Sequence, residues 1–324
     1  MEKMREADLW PMVRAYWHPV ALAENVKDRP YAATLLDERI VICRLGDRVE
    51  AFSDLCVHRG TPISLGWIEG EEVVCAYHGW AYNADGKCTR IPSIPPGSPI
   101  PKKACLTHYP AQERYGIVWV CMSDEPRAPI PNLPSLEDPG HHVTAADQRN
   151  WKCSAARAIE NFIDYSHFAW IHEGILGDRS RPESPEVNVV REGDEIKFDF
   201  SNTPDGLHGA PHTNYSRLVR PFSIILTKVE EDGKTEALNF VCSPVSADEC
   251  TRIFLITRNH PHDIEKDGGT EKFLELVAEQ DRLIVENQRP QDLPLDLTEE
   301  LHVKGPDAGS LVYRRALREI GLDE

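Results

Sequence analysis

Apolar and polar positions alternate over short stretches through the first third of the chain. Arg39–Arg44 and Arg48–Phe52 flank Gly46-Asp47, and Val73–Tyr82 runs into Asn83-Ala84-Asp85-Gly86, a pattern that predicts strands joined by tight turns. Proline-rich sequence from Ile91 to Pro101 interrupts it, a strand follows at Gly116–Met122, and a second such passage, Pro126 to Pro139, marks a domain boundary. Beyond that boundary the period changes. Ala155–His172 and Glu271–Gln288 carry helical spacing, strands are predicted at Glu195–Phe200, Ser223–Val229, Thr235–Cys242 and Thr251–Thr257, and Ser310–Ile320 closes the chain as a short helix. The fold class is therefore α+β, with a small all-β domain over residues 1–130, including an N-terminal extension, and a mixed domain over 131–324.

Composition narrows the function classes. A chain of 324 residues with 41% hydrophobic content can bury two cores. The N-terminus lacks a basic segment followed by an apolar run, and no apolar stretch approaches membrane-spanning length, so a cytoplasmic protein that neither enters nor crosses a membrane is expected. Nine cysteines, an odd number scattered from Cys43 to Cys250, argue for a reducing compartment rather than a disulfide framework. A formal charge of −17 disfavours nucleic acid as a partner.

Two constellations carry the chemistry. Cys56-Val57-His58 and Cys75-Ala76-Tyr77-His78 each place a thiolate and an imidazole on a loop leaving a strand. Thiolates suit a ferric iron and neutral imidazoles leave a second iron less negative, so this set favours a two-iron, two-sulfide centre of raised potential. A structural zinc site is the alternative, but zinc fingers commonly pair Cys with Cys and His with His, whereas each loop here offers one of each.

The second constellation lies in the mixed domain. Asn161, Asp164 and His167 are three residues apart and share one face of the expected helix. His172 can join His167 on one metal only if that helix ends or bulges between them, as Glu173-Gly174 suggests. Two histidines and a carboxylate make the facial triad of non-haem iron(II) oxygenases. Asp281 is the candidate carboxylate because it shares a face with Phe273, Val277 and Ile284; the competing reading pairs it with Arg282 or Arg289 at a solvated edge. His141-His142 and His260-Pro261-His262, flanked by proline and glycine, read as surface loops.

Cys56-Val57-His58-Arg59-Gly60 together with Cys75-Ala76-Tyr77-His78-Gly79-Trp80 resembles the cluster-binding signature of Rieske proteins. Glu160-Asn161-Phe162-Ile163-Asp164-Tyr165-Ser166-His167, then His172 and Asp281, resembles the mononuclear iron segment of Rieske non-haem iron oxygenases. The resemblance spans nearly the whole chain and is nearest the single-subunit monooxygenases and demethylases, such as those acting on vanillate or dicamba. It implies a Rieske domain with a [2Fe–2S] cluster on Cys56, His58, Cys75 and His78, then a helix-grip (START-like) catalytic domain with an antiparallel sheet and helices. It implies Fe(II) on His167, His172 and Asp281, with Asn161 beside the iron and Asp164 bridging His167 to His78 of the adjacent subunit in a head-to-tail homotrimer.

The implied activity is that of a terminal oxygenase. Electrons would come from an NAD(P)H-dependent reductase, with or without a ferredoxin, and O2 would hydroxylate or demethylate a small aromatic substrate. Phe168 and Leu176 flank the ligand segment and are candidates for the pocket wall. Other readings stay open at this point: a ring cis-dihydroxylating dioxygenase, a Rieske electron carrier without a second metal, or a zinc-stapled binding module.

Overall fold

The computed structural model describes residues 4–184, 187–201, 212–261 and 270–322. The chain forms two compact units, one of Arg14–Ile130 and one that joins Met1–Val13 to Pro131–Glu324. The N-terminal extension therefore packs with the mixed unit and not with the all-β one. Buried Glu6 explains the placement: its Oε2 accepts the backbone N–H of Ala156 at 3.0 Å, inside the second unit. No helix among the described residues is long and apolar enough to cross a membrane.

The first unit contains three small antiparallel sheets. One has β1 (Trp17–Leu22), β11 (Ile117–Cys121) and β10 (Ala111–Arg114) in that order. Another runs β2 (Tyr31–Leu35), β3 (Glu38–Leu45), β4 (Arg48–Ser53) and β9 (His108–Tyr109). The third runs β5 (Trp67–Glu69), β6 (Glu72–Val74), β7 (Ala81–Tyr82) and β8 (Cys88–Arg90). The single strand expected over Val73–Tyr82 is thus two, because Cys75–Trp80 leaves the sheet as a loop. Val41, Phe52, Ile63, Val73 and Tyr82 make a fully buried cluster that also roots Cys56 and Cys75.

The second unit is built on a seven-stranded antiparallel sheet. Its strands are β12 (His142–Trp151), β13 (Asn188–Glu192), β14 (Glu195–Ser201), β15 (His212–Val219), β16 (Ser223–Glu230), β17 (Thr235–Ser246) and β18 (Glu249–Arg258), in the order β12-β18-β17-β16-β15-β14-β13. The helices are α1 (Trp10–Val13), α2 (Ala155–Ile163), α3 (Phe168–Ile171), α4 (Thr270–Val285) and α5 (Ala308–Ile320). Edge strand β12 escaped the sequence reading because Ala145-Ala146-Asp147-Gln148-Arg149-Asn150 shows no clean alternation. His142 opens this strand rather than lying in a loop.

The Ser154 hydroxyl caps α2 by accepting the Arg157 N–H at 3.3 Å. Phe162, at its other end, stacks on Phe240 with centroids 4.0 Å apart and lies 5.4 Å from Phe254, which pins the helix to β17 and β18. The helix is enclosed nearly all round, so its charges must be answered internally. Arg314 of α5 grips both Glu160 oxygens at 2.6 and 2.7 Å, and Glu300 pairs with Arg157 at 2.5 Å. Removing one member of a buried charged pair leaves the other uncompensated, which costs about 3–5 kcal/mol. Arg314→Ala is therefore expected to lower unfolding free energy by that order in urea titration, and a loss below ~1 kcal/mol would show that the network does not hold α2 in place.

Candidate metal centres

The two Cys-His loops of the first unit are near copies of one another. The Gly60 N–H donates to the Cys56 carbonyl at 2.8 Å and the Gly79 N–H to that of Cys75 at 3.0 Å. The Cys56 N–H donates to Thr61 and the Cys75 N–H to Trp80, at 2.8 and 2.9 Å. Both turns need a left-handed residue four places after the cysteine, and Gly60 (φ +70°) and Gly79 (φ +69°) supply it.

The two loops bring like donors together. Both cysteines are buried, and burial, with the Cys56 thiol alongside, raises the Cys75 thiol above its ordinary value. The Tyr82 hydroxyl lies 3.2 Å from the Cys56 sulfur, placed to donate once that sulfur is a thiolate. His58 and His78 are 4.5 Å apart between centroids, and Trp80 stacks flat on His58 at 4.5 Å. Burial, then the neighbouring His78 and Arg59, lowers the pKa of His58, which favours the neutral ligand form. Its Nδ1 is buried without a hydrogen-bond partner. Two sulfurs on one side and two imidazoles on the other suit a two-iron core, one iron per pair of like donors.

The second centre depends on a break in the expected helix. Helix α2 stops at Ile163 because Asp164 turns extended (φ −92°, ψ 111°), and Asp164 Oδ1 accepts the Ser166 N–H at 2.8 Å. His167 and His172 then cap the two ends of the single turn α3. Expectation and structure differ here: Asn161 is on α2, Asp164 caps it, and His167 is off it altogether. The break is what allows two histidines five residues apart to face one point.

That point is Asp281, which is 4% exposed. One of its oxygens, Oδ1, lies 2.9 Å from His172 Nε2, 3.4 Å from His167 Nε2 and 3.5 Å from Asn161 Nδ2. The three ligand-type atoms of His167, His172 and Asp281 lie within 4.8 Å of one another. Neighbouring ligands on a first-row divalent ion, with bonds of about 2.1 Å, sit roughly 3 Å apart, so these side chains fit one. His172 Nδ1 is 2.9 Å from Gln280 Oε1; the amide oxygen can only accept, so the proton sits on Nδ1 and Nε2 is left for a metal.

Burial alone would raise the Asp281 carboxyl, but the two imidazoles hold it below its ordinary range. Asp164, 3.6 Å from His167 Nδ1, is likewise held low against burial by His167 and Ser166. Burial pulls His167 down, yet the flanking Asp164 and Asp281 carboxylates raise it to about 9. The two carboxylates thus favour positive charge at His167, as a proton or as a metal cation.

A cavity of about 510 Å³ opens beside the triad. Phe168 and Leu176 line it, as do Phe162, Leu226, Leu238 and Ile256. Sequence reasoning did not find the sheet residues, because alternation alone does not say which parity faces the cavity. It also set aside His260, which lines the cavity, while His262 lies outside the described residues. On α4, Ala278, Asp281 and Val285 are buried and Ile284 is 43% exposed, so the inner face is rotated from the expected one. The Phe273 side chain lies outside the described residues, and Arg282 pairs with Glu279 and Glu286, not with Asp281.

Residues 16–110 match the family described as Rieske [2Fe-2S] domain, and residues 151–322 the family described as Vanillate O-demethylase oxygenase C-terminal domain. The chain is 34% identical over 321 residues to methylxanthine N1-demethylase NdmA of Pseudomonas putida, covering 95% of this chain and 89% of that protein. It is 30% identical over 192 residues to the vanillate O-demethylase oxygenase subunit of a Pseudomonas strain (HR199 / DSM 7063), 56% of this chain and 50% of the other. The solved structure of Pseudomonas putida CBB5 NdmA with caffeine has a TM-score of 0.88 at 31% identity, covering 96% of this chain and 92% of that one. Dicamba monooxygenase bound to dicamba shares the fold with a TM-score of 0.81 at 21% identity, covering 96% and 98% of the two chains.

A divalent cation entering between His167, His172 and Asp281 must displace the His167 proton. Apparent affinity is therefore highest above the ion-free value of about 9 and falls as the pH drops below it. The expected slope is roughly tenfold per pH unit. Anaerobic Co(II) titration between about pH 8 and pH 6, with proton release followed, tests this; a flat profile would mean that the ion does not bind His167.

Proposed function

The chain belongs to the Rieske-type oxygenases with a vanillate O-demethylase-type catalytic domain, and from that premise we propose that it oxidatively demethylates a small methylated aromatic compound. It is a terminal oxygenase with a [2Fe–2S] Rieske cluster and a mononuclear non-haem iron, fed with electrons by a partner reductase. The observation that carries the proposal is the convergence of His167, His172 and Asp281 beside a cavity to which Phe162, Phe168, Leu176, Leu226, Leu238 and Ile256 give an apolar wall. A methyl group on nitrogen or oxygen is supported by relatives named for N1-demethylation of methylxanthine and O-demethylation of vanillate.

When bound, the two centres supply one-electron storage and the activation of dioxygen. Cys56 and Cys75 would hold one iron of the cluster and His58 and His78 the other, while His167, His172 and Asp281 would hold the mononuclear ion. Gln280 fixes the His172 ring, and Asn161 donates to Asp281. Phe162, Phe168 and Leu238 take the flat body of the substrate and exclude water. One oxygen atom enters a methyl C–H bond and the other leaves as water with two electrons and two protons. The hydroxymethyl product then sheds formaldehyde.

Asp164 is assigned the passage between the centres. Its side chain is 38% exposed, so it can touch His167 and still reach outward to His78 of the partner subunit in a head-to-tail homotrimer. Exposed Val57 and Tyr77 on the cluster loops support contact with another chain there. Free cysteines throughout the described chain support a reducing, cytoplasmic setting.

Asp281→Ala should lose the mononuclear iron and retain the cluster in metal and sulfide analysis, with oxygen uptake falling to background. Loss of the cluster instead would point to collapse of the fold. Asp164→Asn should retain both centres while turnover drops on the order of 100-fold. Unchanged turnover in that variant would send the electrons by another route.

A further inference from the structure

The inner face of the large sheet changes character in two steps along its strands. Leu226, Leu238 and Ile256 are paired across β16, β17 and β18 and form an apolar row. Two residues further, roughly 7 Å along the strands, Lys228, Glu236 and Arg258 form the next row in the same register. Both rows line the cavity that holds the triad. A substrate resting on the leucines is therefore met at its other end by charged groups.

Those charges are already matched. Arg258, 8% exposed, places Nε 2.5 Å from Glu236 Oε2, and its Nη2 contacts the same oxygen. Lys228 Nζ lies 3.0 Å from Glu230, and Lys234 Nζ 2.5 Å from Asp232. Each described lysine and arginine lining the cavity has a carboxylate of its own. Glu236 is central, since it lies in register between Lys228 and Arg258.

An incoming carboxylate could reach Arg258, whose side chain is nearly buried, only by expelling Glu236 or by adding a second anion beside it. Either costs more than it returns, because a charge-assisted hydrogen bond already made must be broken to form another. A neutral ring bearing carbonyl, amide or ring-nitrogen groups meets no such penalty. We propose that the cavity selects an uncharged methylated aromatic substrate, and that Glu236 sets this preference by withholding Arg258 from carboxylates. This rests on the cavity being the substrate site, and it separates the two kinds of demethylase to which the chain is similar.

The test uses the iron-loaded holoenzyme and matched probes, methoxybenzamide with methoxybenzoate and N-methylindole carboxamide with its acid, read by calorimetric dissociation constants and formaldehyde release. The wild type should bind each amide about tenfold or more tightly than its acid, the size of one charge-assisted hydrogen bond. Glu236→Gln, which keeps the shape and removes the charge, should move that ratio toward the acids by about tenfold, and Glu236→Asp should retain the wild-type ratio. Tighter acid binding by the wild type, or a ratio indifferent to Glu236→Gln in folded protein, overturns the proposal while leaving the demethylase reading intact. Absence of binding by every probe, or binding unaffected by filling the cavity with Leu238→Trp, means that the cavity is not the substrate site and both readings fall.

Discussion

A carboxylate kept from water must be answered by positive charge, and Asp281 imposes that requirement on the catalytic unit. From its place on α4, its Oδ1 draws an amide of α2 and the two imidazoles of the turn after it to within 3.5 Å. Asp164 and Asp281 raise the affinity of His167 for a proton against the pull of burial. A divalent ion meets the same demand with fixed geometry, so the electrostatics of these side chains and their suitability for metal have one cause.

Holding that arrangement takes rigidity further out. The helix that ends at Ile163 must stop at one place if Asp164, His167 and His172 are to be aimed correctly, and two buried contacts see to this. Phe162 stacks on the sheet, and Glu160 is clamped by Arg314. These residues flank Asn161 in sequence, so the segment that carries Asp164, His167 and His172 is braced by its own neighbours. The first unit solves the corresponding problem differently. There, two loops repeat one hydrogen-bonding scheme, and positive-φ glycines let each close tightly behind its cysteine.

The cavity joins an apolar body to a neutralised charged end, and both features come from strand register. Leu226, Leu238 and Ile256 lie beside one another only because β16, β17 and β18 pair as they do. The same pairing sets Glu236 against Arg258. The lining of the cavity is thus set by sheet alignment, whereas the candidate metal-binding side chains come from one broken helix and one residue of another.

The side chains that converge at the two candidate centres were legible in the chain itself, because they were picked out by residue type and short spacing: Cys-x-His and Cys-x-x-His on loops, then two histidines with glycine following. The α+β division was legible for a similar reason, since period and proline are local signals. Three things were not local. The helix end at Asp164 is set by a side chain bonding its own backbone in competition with helical hydrogen bonds, a balance that burial decides. The inner face of α4 is chosen by what packs on it, so Ile284 faces out although its hydropathy argues otherwise. The partner of Gln280 is 108 residues away and that of Glu236 lies 22 residues away across a strand pairing, so no short sequence window contains them. Composition and spacing therefore determined which chemistry this chain can perform. Tertiary packing decided where those groups point and what they admit, because orientation and charge pairing arise only when segments remote in sequence share one desolvated space.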